Sequence, residues 1–127
     1  MPAELHIDDI QGIGKKGLLN HEWIALTNVG DAPFNTEGCS ITTTSGGARP
    51  RVVTTMKAGV VIQPGEKVRL VSGSSGKKSH GDAPDDDYRN VFLFLKARYL
   101  DKTGLLVRIS LGQHEVARTH YPKKETD

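Results

Sequence analysis

Between Asn20 and Leu70 the chain alternates short β-favouring runs with clusters of Gly, Asn, Asp and Pro, and this restricts the folds open to it. The run Trp23-Ile24-Ala25-Leu26 is followed by Gly30-Asp31-Ala32-Pro33, and Cys39-Ser40-Ile41 is preceded by Gly38. In Gln63-Pro64-Gly65-Glu66, Pro sets φ at the second turn position and Gly supplies a positive φ at the third, which predicts a type II turn. Val68 and Leu70 then alternate with Lys67 and Arg69, as on a sheet with one wet face. Short strands at such spacing predict a sandwich or barrel rather than alternating strands and helices.

The remaining segments extend the pattern. A first strand is expected at Leu5–Asp8, a flexible turn at Gly12–Gly17, and further strands at His21–Asn28, Thr36–Thr44, Arg51–Met56 and Glu66–Ser72, with a short run at Gly59–Ile62. Ser72–Asp87 is nearly free of apolar residues and rich in Gly and Ser, so burial cannot offset its ordering entropy. A mobile surface loop is expected over 72–90. From Asn90 to Leu100 the odd positions Val91, Leu93, Leu95, Ala97 and Tyr99 form an apolar face, and Leu105, Val107, Ile109 and Leu111 repeat the alternation. Two successive core strands are the economical reading. A helix carrying Val91, Leu95 and Tyr99 on one stripe is the alternative.

The ordered set Asn20-His21-Glu22-Trp23-Ile24, Asn28-Val29-Gly30-Asp31, Gly38-Cys39-Ser40-Ile41 and Pro64-Gly65-Glu66 before an apolar strand resembles the lamin-tail domain family. Leu100-Asp101-Lys102-Thr103-Gly104 and Gly112 to Tyr121 resemble that family's closing hairpin. The resemblance implies an all-β, immunoglobulin-like antiparallel β-sandwich. It also implies a docking platform for proteins and, less specifically, nucleic acid. Bacterial relatives often accompany hydrolase or nuclease domains.

The 127 residues are read as one domain, 1–127, long enough to bury a core without disulfides or metal. The single cysteine, Cys39, has no Cys partner and no neighbouring base in sequence, and so reads as a small buried hydrophobe. The expected core comprises Ile7, Trp23 or Ile24, Leu26, Cys39, Ile41, Val68, Leu70, Leu93, Leu95, Leu105, Val107 and Ile109. No apolar stretch is long enough to span a bilayer and no leader pattern opens the chain, so a cytoplasmic location is the default expectation. A net charge of +2 does not by itself imply a polyanionic partner.

The motifs that would announce chemistry fail on inspection. Gly12-Ile13-Gly14-Lys15-Lys16-Gly17 matches a dinucleotide fingerprint, but the element after it is the strand containing Trp23 instead of a helix. Gly73-Ser74-Ser75-Gly76-Lys77-Lys78-Ser79 has neither the glycine spacing nor the hydroxyl placement of a phosphate loop. Asp82, Asp85, Asp86 and Asp87 lack calcium-loop spacing, and His6, His21, His80, His114 and His120 lack zinc spacing. No catalytic residue, cofactor or metal is expected, and the protein is not expected to be an enzyme.

Charge is the one distribution with functional content. From Val91 to Lys124 seven basic residues stand against two acidic ones. If the strands there are neighbours, Lys96, Arg98, Arg108 and Arg118 share an outer face beside Phe92 and Phe94, with Lys123 and Lys124 following. Such a face suits phosphates and stacked bases, or it merely protects sheet edges from aggregation. The expected function is a non-catalytic interaction module for protein docking or scaffolding, through a protein partner or self-association. Weak, sequence-independent nucleic-acid binding through Phe92, Phe94, Lys96, Arg98, Arg108, Arg118, Lys123 and Lys124 is the alternative.

Overall fold

The computed structural model describes residues 3–12, 18–46, 48–56, 60–74, 87–95, 99–100 and 104–121. The strands among them are β1 (Leu5–Gln11), β2 (Trp23–Asn28), β3 (Phe34–Asn35), β4 (Cys39–Ser45), β5 (Arg51–Thr55), β6 (Val61–Ile62), β7 (Lys67–Val71), β8 (Arg89–Phe92), β9 (Leu105–Leu111) and β10 (His114–Tyr121). A single 3-10 turn at Leu19–His21 leads into β2. One sheet has the order β1-β2-β7-β8, the second β10-β9-β4-β5, and β3 pairs with β6 separately. The two larger sheets form a sandwich around one shared core.

Alternation decides what fills that core. Ile24, Leu26, Val68 and Leu70 face inward from the first sheet, and Cys39, Ile41, Val107 and Ile109 from the second, all at most 2 % exposed. Each large aliphatic side chain so buried contributes about 1.5–3 kcal/mol. The core cluster contains Ile7, Leu105 and Cys39 as expected, with Leu93 and Leu95 partly buried against it. At the Trp23/Ile24 ambiguity, Ile24 points inward and Trp23 is half-buried on the outer face. Burial pushes the Cys39 thiol above its ordinary range, as for a small core hydrophobe.

The turns behave as their sequences dictate. Gly65 has φ +80°, and the Glu66 N–H donates to the Gln63 carbonyl at 2.9 Å, which closes the Pro-Gly turn. Gly112 and Gln113 form the two-residue loop between β9 and β10, with Gly112 at φ +62°. Asn28 is fully buried at the end of β2. Its amide donates to the carbonyls of Ala32 and Ile62 and accepts from the N–H groups of Glu4 and Gly30, so all its capacity ties β2 to its neighbours.

Two features differ from the sequence reading. The sandwich is not wholly antiparallel, because β8 pairs with β7 in parallel, Leu70 opposite Val91. The long connection between them permits this, whereas a tight hairpin would not. The strand expected over Asn90–Leu100 ends at Phe92: the Leu93 N–H still donates to Val71 in the ladder, but those of Phe94 and Leu95 turn to Gly73 and Ser72. Tyr99 and Leu100 return to the core, while 96–98 lie outside the described residues. At the ends of the loop expected over 72–90, Ser72 is fully buried and Arg89 and Asn90 belong to β8; positions 75–86 lie outside the described residues.

Candidate functional site

The sandwich closes differently along its two sides. On one side, β1 approaches β10 so closely that a Cβ added at Gly12 would lie 2.0 Å from the Tyr121 hydroxyl. The first glycine of the dinucleotide-like run therefore serves close packing; positions 13–17 lie outside the described residues. On the other side, β5 and β8 stand apart around a cleft of about 440 Å³. Thr54, Thr55 and Met56 form its wall from the second sheet. Val91, Phe92, Leu93 and Phe94 form the wall from the first, with Val60 between them.

Phe94 at the rim is the unusual residue. It is 68 % exposed, more than any other large hydrophobic side chain described, and its φ of +55° makes it the sole non-glycine in that region among the described residues. An L-residue held there costs about 1–2 kcal/mol. The hydrogen bonds from Phe94 to Gly73 and from Leu95 to Ser72, 3.0 and 2.8 Å long, hold the backbone in place. The strained backbone keeps this aromatic ring in water.

The edges around the cleft are also unequal. A β-bulge interrupts β1 at Asp8, β5 at Val53 and β10 at Val116, and each of these is an edge strand of its sheet. The interior pairings β2–β7 and β4–β9 run without a shift. Bulges twist an edge and hinder further pairing. The fourth edge, β8, has none.

The outer face of the first sheet is plated by interactions within the chain. The Arg69 guanidinium lies between the rings of Trp23 and Tyr88, 4.6 and 4.9 Å from their centroids. The bulge in β1 directs the Asp8 carboxylate to accept from the Thr27 hydroxyl and from the Tyr88 hydroxyl, the latter at 2.9 Å. This face is bound up in holding β8 and the chain before it against the sheet.

Among the described candidates, Phe92 does not share a sheet with Arg108 and Arg118. Phe92 lies in the first sheet, whereas Arg108 and Arg118 lie opposite each other on β9 and β10 of the second. The expectation assumed that the strand through Phe92 neighbours β9, but β8 pairs with β7 instead. The bulge at Val116 brings Glu115 onto the same face as Arg118. Its carboxylate lies 3.4 Å from the Arg108 Nε and 3.6 Å from the Arg118 Nε, offsetting much of their charge. Ser110, Ser40 and Thr42 continue these rows across β9 and β4. Lys96, Arg98, Lys123 and Lys124 lie outside the described residues.

Among the described residues no cluster of three or more His, Cys, Asp or Glu side chains could hold a metal ion. Of the acidic group proposed from sequence only Asp87 is described, and of the histidines all but His80. No described helix is long and apolar enough to cross a membrane. Sequence reasoning singled out Phe92 and Phe94 but missed Met56, Thr54 and Thr55, whose signal would have been the pairing of β5 at an edge. A scan against models of known protein families and a search of curated proteins each return no match.

Proposed function

We propose that the chain is a non-catalytic protein-interaction module, an immunoglobulin-like sandwich of lamin-tail type, and that it binds its partner at the cleft between β5 and β8. The observation that carries this reading is Phe94: a strained, exposed aromatic residue at the mouth of an apolar cleft. Apolar clefts of a few hundred Å³ with a few polar groups are where proteins take their ligands, and Thr54 is such a group among the residues lining this one. Docking is favoured over nucleic-acid binding because Phe92 and the candidate arginines Arg108 and Arg118 belong to different sheets, and Glu115 lies against both arginines.

Selection of a phage-displayed library of random peptides on the immobilised protein tests the reading. Enriched peptides should share apolar residues and should lose at least about tenfold in affinity on Phe94→Asp, equivalent to about 1.4 kcal/mol. Enriched peptides indifferent to Phe94→Asp, or none at all, would remove the cleft as the binding site. Phe94 is exposed, so its replacement leaves the core intact.

A further inference from the structure

We infer that the occupant of the cleft is one aromatic side chain with a polar tip, a Tyr or Trp presented by the partner, and that Thr54 selects it; this rests on the proposed docking function. Thr54 pairs with Ile41 across β4 and β5 and shares its inward side, because paired residues of neighbouring strands point to the same face. Thr55, opposite Ser40, instead bonds to the Ser40 hydroxyl at 2.8 Å. The Thr54 hydroxyl makes no hydrogen bond with the described residues. Met56, Val60, Val91, Leu93 and Phe94, which line the cleft with it, are all apolar, and among the described residues no charged side chain lines it.

That lining specifies the chemistry of the occupant. A charged group entering it would lose water without gaining a counter-charge, and a purely apolar group would strip water from the Thr54 hydroxyl and leave it unpaired. An aromatic ring suits the walls, since the Met56 thioether and the Phe94 ring both favour contact with a second ring. A ring that also carries one neutral hydrogen-bonding atom satisfies Thr54 at the same time. Among side chains that describes the phenol of Tyr and the indole of Trp, the residues in which partners most often concentrate their binding energy. Size agrees: a benzene ring is held in a cavity of about 150 Å³, so a cleft of about 440 Å³ has room for either side chain.

The test uses synthetic versions of the display-selected peptides, measured on the full chain. The peptides should share a Tyr or Trp whose replacement by Ala abolishes binding. Removing only the polar tip, by exchanging that Tyr for Phe or that Trp for benzothienylalanine, should weaken binding about fivefold, the loss of about one hydrogen bond. Thr54→Val should cost the same factor of about five with the parent peptide and nothing with the peptide that lacks the tip. Thr54→Ser, which keeps the hydroxyl, should retain most of the affinity. Phe94-dependent peptides anchored by Phe or aliphatic residues, or additive effects of Thr54→Val and the loss of the tip, overturn the polar-tipped occupant and leave the docking function standing. Failure to select any Phe94-dependent peptide overturns both. A concentration-dependent dimer by light scattering, dissociated by Phe94→Asp, overturns the inference in favour of a second copy of the chain.

Discussion

The Glu22 carboxylate accepts the backbone N–H of Leu100 at 3.1 Å, although 78 residues separate the two. The same carboxylate lies 3.3 Å from the Tyr99 N–H and accepts the Ser72 hydroxyl at 2.7 Å. Ser72 in turn donates its N–H to the Glu22 carbonyl. One fully buried acidic side chain thus joins the start of β2, the end of β7 and the chain that returns after β8.

Glu22→Ala should leave those donors without their acceptor, at about 1–3 kcal/mol for each buried group that no water reaches. Glu22→Gln keeps the shape but replaces one accepting oxygen with an amine that faces donors. We expect losses of about 3–5 kcal/mol for Ala and about 2–3 kcal/mol for Gln in urea unfolding. A Gln variant within half a kcal/mol of the parent would mean that the charge at this position contributes nothing.

The same region sets an alkaline limit. Burial, and then the Glu22 charge, hold the Tyr99 hydroxyl above its ordinary value of 10.0, and burial raises the Cys39 thiol above 9.0. Above these values the unfolded chain loses protons that the folded chain retains, so the unfolded state binds fewer protons and stability falls as pH rises. Stability should be insensitive to these two groups below about pH 8 and decline above pH 9, first through Cys39 and then through Tyr99, whose contribution approaches about 1.4 kcal/mol per pH unit. Tyr99→Phe should remove the decline that begins near pH 10. Urea midpoints between pH 8 and 11 for the parent and Tyr99→Phe decide it, and parallel curves would overturn the assignment.

How far the sequence can be read follows from where its physics is local. The Pro64-Gly65 turn, the inward set from Ile24 to Leu70 and the β9–β10 hairpin depend on neighbours in sequence, and each is legible. Glu22, Asn28, Arg69 and Ser72 are polar, yet they are buried by partners tens of residues away. Nothing beside them in sequence marks that. The bulges at Asp8, Val53 and Val116 each break strict alternation, which is why simple period counting misplaces faces on edge strands. Phe94 was legible as an aromatic in the apolar run after Asn90. Its positive φ was not, because it is imposed by acceptors at Ser72 and Gly73.

Gly12 and Tyr121 form a second long-range relationship with a measurable signature. A methyl at Gly12 would meet the Tyr121 hydroxyl and ring carbons at 2.0–3.1 Å, so the ring must swing away from β1. Gly12→Ala should cost about 1–2 kcal/mol by overpacking. The cost should largely vanish in a Tyr121→Ala background, giving a coupling of at least about 0.5 kcal/mol in the double-mutant cycle. Additive effects would show that the glycine is required for backbone reasons alone.

Arg69 holds β8, one wall of the proposed cleft, against the first sheet. Arg69 is 4 % exposed between the rings of Trp23 and Tyr88, and its Nη1 lies 3.5 Å from the Asn90 Oδ1. Lys keeps the charge but not the planar stack, so Arg69→Lys is not conservative here. It should destabilise the fold by about 1–2 kcal/mol, and it should loosen β8 more than β9 because the rings clamp only the first sheet. Trp23 is the sole tryptophan, so its fluorescence reports the stack directly. Arg69→Lys should shift that emission and speed amide exchange at Leu93 while leaving Val107 protected. Equal loss of protection at both would instead make Arg69 a contributor to global stability, and the clamp on β8 would be refuted.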